Sequence, residues 1–206
     1  MELSLWLSLL SICLLGAMSP GPSLAVVMNN TLSGGHAAGY VSALAHGLGV
    51  ALYGLLTVAG LAVLIARSPT LFIVLQVAGA GYLIYLGIKS LRSSGSDLNA
   101  TLNSGNAEGA ALSGFLVAFL NPKLAIFMLA LFSQFLNPDA PASEKAIMVA
   151  TVGVTDASWY ALIVALISRK RFLQKLQRSA AIIDRVFGII LILLAASVLL
   201  RAVGLV

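Results

Sequence analysis

The sequence is short of charge, cysteine and histidine. Only 9% of its 206 residues are charged, against about 25% in soluble domains, so a water-soluble globule is excluded. Cys13 is the single cysteine, so no intramolecular disulfide and no thiolate metal cluster can form. Two histidines supply few further metal ligands, and the glycine-rich loop that cradles nucleotide phosphates is missing. We therefore expect no cofactor and no resident metal.

The sequence is rich in apolar residues. Hydrophobic residues make up 60% of it, and the mean hydropathy is +1.02. Apolar stretches long enough to cross a bilayer as helix cover residues 3–28, 38–66, 69–90, 111–136, 146–168 and 183–204. None alternates polar and apolar residues as a barrel strand does. The sequence predicts an all-α membrane protein with six transmembrane helices in a single domain, residues 1–206.

A segment rich in Ser, Gly and Asn, residues 93–109, separates two halves of three spans each, residues 1–92 and 110–206. Because each half crosses the membrane three times, an odd number, two related halves must have opposite orientations in the membrane, which makes them an inverted repeat. A thin resemblance between residues 77–92 and 186–201, and a proline in the first span of each half, favour this interpretation.

Basic residues set the expected orientation. Most of those in the connections follow the third span or precede the sixth, so we expect these connections in the cytoplasm and both termini outside. The net charge of +5 indicates contact with anionic lipid rather than nucleic acid, because the basic residues cluster at span ends. Leu3 to Ala17 is apolar but is preceded by Glu2 and no basic residue, so we expect a retained first span rather than a cleaved signal peptide.

Prolines should break the first span of each half. Pro20, Gly21 and Pro22 remove two backbone donors and insert a flexible residue, so continuous helix cannot run through them. In the fourth span, Asn121 and Pro122 lie deep in an apolar segment and should kink it. Broken helices expose amides at membrane depth, where they suit a substrate carboxylate, although single prolines often merely bend membrane helices.

Charged and titratable residues lie near the middle of several spans. Lys123 follows the second break, and because a buried charge is costly we expect Asp156 of the fifth span as its partner, in a structural pair or one that a substrate opens. His46 shares a helical face with Ser42, Gly49, Tyr53 and Gly60, which should face the bundle interior. His46 could relay protons or be a satisfied buried imidazole, and Asp156 is a rival proton carrier.

These motifs together resemble the LysE/RhtB family of amino-acid exporters, named for lysine and for homoserine and threonine. The residues that carry the resemblance span nearly the whole chain: Met18 to Pro22, Gly34-Gly35, Gly79 to Leu83, Leu86-Gly87, Asn121-Pro122-Lys123 and Asp156. The resemblance implies a bacterial cytoplasmic-membrane protein, not an enzyme, that exports amino acids by proton antiport.

The resemblance also implies the site. It makes Pro20, Gly21, Pro22, Asn121, Pro122, Lys123 and Asp156 the substrate-binding core, to which we add Tyr53, with Asp156 and His46 in proton coupling. A small neutral amino acid is favoured, since the second span has no additional acid to receive a cationic side chain. Two alternatives stay open: a cadmium-type metal exporter, and a membrane-embedded enzyme that uses Asp156 and His46. A homo-oligomer also stays open.

Overall fold

The protein is all-helical in the computed structural model, which describes residues 1–93, 109–137, 139–167 and 169–202. Seven helices appear in these ranges, with no strand. They are α1 (Leu3–Met18), α2 (Pro22–Arg67), α3 (Pro69–Leu91), α4 (Ala110–Phe119), α5 (Pro122–Phe135), α6 (Ala142–Leu166) and α7 (Lys170–Ala202). Most of the predicted linker, residues 94–108, lies outside the described residues.

Long apolar helices make this a multi-pass membrane protein. Among the described residues, four helices are long and apolar enough to span a membrane, within α2, α3, α6 and α7. The pair α4 and α5, bent by 55° at a short break, makes a fifth candidate. Helix α1 is also apolar, but its 16 residues extend only about 24 Å. Large exposed apolar side chains, among them Leu44 and Leu48 of α2, form the outward surface that suits lipid.

Two segments that the sequence places between spans are helical. The segment between the first and second predicted spans, residues 29–37, is helical and belongs to α2, which changes direction at one residue, Gly35. Gly35 has φ 77°, a left-handed conformation that costs glycine little because it has no Cβ. For the basic segment before the sixth predicted span, residues 169–185, an amphipathic helix and an ordinary loop were both open, and the segment is helical, since α7 begins at Lys170 and continues into that span. Local hydropathy missed these helices because their polar residues interrupt the apolar runs.

Both predicted breaks are present. Helix α1 ends at Met18 and α2 begins at Pro22, because the rings of Pro20 and Pro22 would meet the preceding helical turn. Helix α4 ends at Phe119, and α5 begins at Pro122 with Asn121 as its N-cap. The Asn121 Oδ1 accepts hydrogen bonds from the amides of Lys123 and Leu124, at 3.0 and 3.3 Å. The side chain of Asn121 thus occupies the amides that were expected to be open to a ligand at this break.

Small residues set the helix contacts. Helix α2 packs against α4 and α6, α3 against α5 and α7, and α1 against α6 and α7. At the α2–α6 crossing, a Cβ built on Gly47 would lie 2.8 Å from the Gly153 carbonyl oxygen. At the α3–α7 crossing, a Cβ on Gly87 would lie 2.8 Å from the Gly188 carbonyl oxygen. Such close approach is typical of membrane helices, where packing rather than water expulsion holds helices together.

Candidate functional site

A central cavity of about 120 Å³ lies where the two helix breaks face each other. Pro20, Gly21 and Pro22 line it from the first break, and Asn121 and Lys123 line it from the second. His46 of α2 and Asp156 of α6 line it as well. The fold therefore brings together seven of the nine residues that the sequence predicts for the site.

The other two predicted residues lie elsewhere. Tyr53 does not line the cavity, and its ring packs on Phe119 with the ring centroids 5.0 Å apart. Pro122 does not line it either, although both its neighbours do. The predicted interior stripe of α2 is confirmed at Ser42, His46 and Gly49, which are buried, and wrong at Gly60, which is exposed.

His46 and Asp156 form a buried pair at the cavity wall. The His46 Nδ1 and the Asp156 Oδ2 are 2.6 Å apart, and the residues are 2% and 8% exposed. A carboxylate at Nδ1 selects the tautomer with the proton on that nitrogen, or holds an imidazolium. Among the described residues, the other ring nitrogen, Nε2, has no hydrogen-bond partner although it is buried. The pair can therefore exchange a proton or a hydrogen bond with whatever enters the cavity.

The α2–α6 crossing positions this pair. Gly47 follows His46 directly, and Gly153 precedes Asp156 by less than one helical turn. Because neither glycine has a side chain, the two helix backbones approach closely enough for a hydrogen bond between short side chains. Tyr160, one turn after Asp156, places its ring edge-on to the imidazole, with centroids 4.8 Å apart. The imidazole is thus fixed by one hydrogen bond and one aromatic contact.

The expected pair between Lys123 and Asp156 is absent. Within the described parts of the chain, no carboxylate oxygen lies within 4.0 Å of the Lys123 amine, and Asp156 pairs with His46 instead. The prediction failed because the distance between two residues on different helices does not follow from their depth in the spans. Lys123 and Asp156 remain separate charges of opposite sign on the lining of one cavity.

Beside the central cavity lies a second, wider one of about 650 Å³, here called the vestibule. Its lining is Ser19, Pro20, Tyr85, Leu86, Ile88, Lys89, Ser90, Arg92, Ser93, Lys123 and Asp184. Ser19, Pro20, Leu86 and Lys123 line both cavities, so the two are neighbours across the first break and Lys123.

Sequence reasoning missed several lining residues. Asp184 was overlooked although it lies at the start of the sixth predicted span, 183–204, where an isolated acid was the available signal. Cys13 and Tyr160 also line the central cavity. Tyr160 shares a helical face with Gly153 and Asp156, which was the available signal for it. The position of Cys13 depends on the rotation of α1, for which the uniformly apolar sequence of that helix gives no signal. In the part of the chain that the structure describes, no three His, Cys, Asp or Glu residues group closely enough to hold a metal ion.

Comparison with known proteins identifies the class. The family description "LysE type translocator" matches residues 14–202, and the chain belongs to this family. It is therefore a membrane transport protein, which agrees with the apolar helices and the internal cavity.

Relatives are similar over most of their length. An "Uncharacterized membrane protein YrhP" of Bacillus subtilis (strain 168) is 28% identical over 185 residues, which cover 84% of this chain and 88% of the relative. An "Uncharacterized membrane protein" of Vibrio cholerae serotype O1 is 33% identical over 142 residues, covering 67% of this chain and 68% of the relative. No solved structure gives a significant match.

Proposed function

We propose that the protein is a secondary transporter that exports a small neutral amino acid in exchange for protons. The observation that carries the proposal is the central cavity, in which two helix breaks face a buried His46–Asp156 pair and Lys123. The three together offer a negative group, a cation and a proton-exchanging ring, which is what a zwitterion and a coupled proton require.

In this proposal the substrate lies between the breaks. Asp156 receives its ammonium, which loosens the hydrogen bond to His46. Lys123 receives its carboxylate, helped by the amides at the start of α2, where no side-chain cap is present. Phe127 and Phe187, which also line the cavity, surround its side chain. Asp156 is the one carboxylate among the lining residues, so a cationic side chain would have no second acid to bind.

Proton coupling supplies the energy. A proton on His46 and the substrate ammonium compete for Asp156: the protonated imidazole holds the carboxylate, and the substrate takes the carboxylate when the proton leaves, which is the alternation that antiport requires. The Nε2 of His46, which has no hydrogen-bond partner among the described residues, is the atom that can release and accept this proton. An inward proton gains about 2.3 kcal/mol per 100 mV of membrane potential, which is enough to drive a neutral zwitterion outward at ordinary potentials.

The proposal includes six spans in an inverted repeat. The first span consists of α1 and residues 22–34, the second is the rest of α2, α3 is the third, α4 with α5 is the fourth, and α6 and α7 are the last two. The glycine crossings of α2 with α6 and of α3 with α7 support it, because they join the corresponding second and third spans of the two halves.

The location proposed is the bacterial cytoplasmic membrane, with both termini outside. Lys89, Arg92 and the basic first half of α7 then face the cytoplasm, as the positive-inside tendency requires. The amino group of Met1 forms an ion pair of 3.0 Å with Glu144, which supports the same side for the chain start and the start of α6.

Transport by purified protein in proteoliposomes tests the proposal. Vesicles loaded with labelled alanine, serine or threonine, or with Cd²⁺, receive an imposed proton gradient, and release is followed in time. Wild type should release an amino acid when the gradient is imposed, and Asp156→Asn should not. Asp139→Asn is the matched control, because Asp139 is exposed and lines neither cavity. Release of Cd²⁺ alone, or of nothing, would overturn the proposal.

A further inference from the structure

The vestibule contains a buried aspartate, Asp184, whose carboxylate is oriented by two hydrogen bonds and can accept more. Asp184 is 4% exposed. The Ser19 hydroxyl donates to its Oδ1 at 2.7 Å, and the Ser93 hydroxyl donates to its Oδ2 at 2.6 Å. A carboxylate has about four acceptor positions, so these two hydrogen bonds fix its direction and leave capacity for another donor.

This carboxylate has no ion-pair partner in the described parts of the chain. Among the described residues, no lysine or arginine nitrogen lies within 4.0 Å of the Asp184 oxygens. A buried charge without a partner is costly, and two serine hydroxyls neutralise none of it. Asp184 can therefore accept a hydrogen bond from a positively charged group that enters the vestibule.

Three basic residues line the same cavity as Asp184. Lys89, Arg92 and Lys123 all belong to the vestibule lining, and none of them forms an ion pair within the described parts of the chain. A ligand with a positive group for Asp184 and a negative group for these side chains would satisfy both at once. An α-amino acid carries these two groups on one carbon, at a separation that fits within a cavity of about 650 Å³.

We propose that the vestibule is a second binding site for the transported amino acid, with Asp184 holding its ammonium and Lys89 and Arg92 holding its carboxylate. This inference rests on the proposed function, because it takes the same substrate class. Lys123 lines both cavities, so it can keep the carboxylate while the ammonium passes from Asp184 to Asp156. Ser19, at the first helix break, lies at the boundary that the substrate crosses.

The arrangement predicts two bound molecules per chain. Equilibrium dialysis of the purified protein in detergent, with labelled alanine, serine and threonine tested separately, measures this stoichiometry. Wild type should bind two molecules of the transported amino acid. Asp184→Asn and Asp156→Asn should each bind one, and the double variant none. Asp184→Asn keeps the size of the side chain and an oxygen for one serine, so the change removes mainly charge.

Asp139→Asn should bind two molecules like wild type, since its carboxyl is exposed outside both cavities. Should Asp184→Asn fail to fold, the double variant Lys89→Gln with Arg92→Gln replaces it, because both side chains are exposed. It should raise the dissociation constant of one site about tenfold, the usual effect of losing a charged hydrogen bond, and leave the other site unchanged.

The outcomes separate the two proposals. One bound molecule in wild type, two in Asp184→Asn, or unchanged affinities in the lysine–arginine double variant would each overturn the vestibule site while the transport proposal stands. No binding of any of the three amino acids by folded wild type, together with no release from vesicles, would overturn the proposed function itself.

Discussion

Replacing Gly47 with alanine tests whether the close crossing of α2 and α6 holds the His46–Asp156 hydrogen bond together. A Cβ at position 47 would lie 2.6 Å from the Ala157 Cβ and 2.8 Å from the Gly153 carbonyl oxygen. Carbon atoms in good contact are about 3.5 to 4.0 Å apart, so the helices must separate by about 1 Å. The 2.6 Å hydrogen bond would then exceed the usual limit of about 3.2 Å.

The matched control is Gly60→Ala on the same helix, where an added Cβ meets nothing within 4 Å. Both changes gain about 1 kcal/mol of helix propensity, so this contribution cancels between the two variants. What remains is the cost of overpacking, about 1 to 3 kcal/mol. Gly47→Ala should therefore be less stable than Gly60→Ala by this amount.

Unfolding by SDS titration in mixed micelles measures the stability difference, and proteoliposome release measures the functional one. Gly47→Ala should lose proton-driven release, and Gly60→Ala should keep it. Equal stability of the two variants, with unimpaired release by Gly47→Ala, would refute the reasoning that this crossing positions the pair.

Three further predictions concern single side chains. Asn121→Ala should lower the free energy of unfolding by about 1 kcal/mol through loss of the helix cap, and Asn121→Ser should restore most of it, both measured by SDS titration. Lys123→Gln should weaken amino-acid binding at least about tenfold in equilibrium dialysis, and unchanged binding would remove Lys123 from the site. Trp6→Phe removes the hydrogen bond of 2.9 Å from the indole to Thr151 Oγ1 and should lower the free energy of unfolding in SDS titration by about 1 kcal/mol. If Trp6→Phe is as stable as wild type, this hydrogen bond does not stabilise the protein.

The sequence predicts the breaks well because their cause is local. Proline lacks an amide hydrogen and its ring blocks the preceding turn, so Pro20, Pro22 and Pro122 interrupt helix whatever surrounds them. Burial of His46 followed from the small and polar residues on its helical face. Membership of the family that the motifs resemble is confirmed by the match over residues 14–202.

Which side chains pair between different helices could not be predicted in the same way. Asp156 pairs with His46 because Gly47 and Gly153 let their helices cross closely, a property of two segments that lie far apart in the chain. The turn at Gly34-Gly35 is confirmed at Gly35, but the helix on either side of it was not predicted, because no change of hydropathy shows that one residue makes the whole connection. The inverted repeat, the orientation and the substrate remain predictions.

Labelling of Cys13 tests most directly whether the central cavity holds the substrate. Cys13 is the single cysteine of the chain and lines this cavity, so it reports on the cavity without any mutation when a small methanethiosulfonate reagent is applied at pH about 9, where more of this buried thiol is ionised. A transported amino acid, present at about ten times its dissociation constant, should slow the modification about tenfold, because only about one tenth of the protein then has an empty cavity. Asp156→Asn should lose the protection, and Asp139→Asn should keep it. A labelling rate that does not change at any concentration of an amino acid that the protein transports would contradict the proposal that the two helix breaks enclose it.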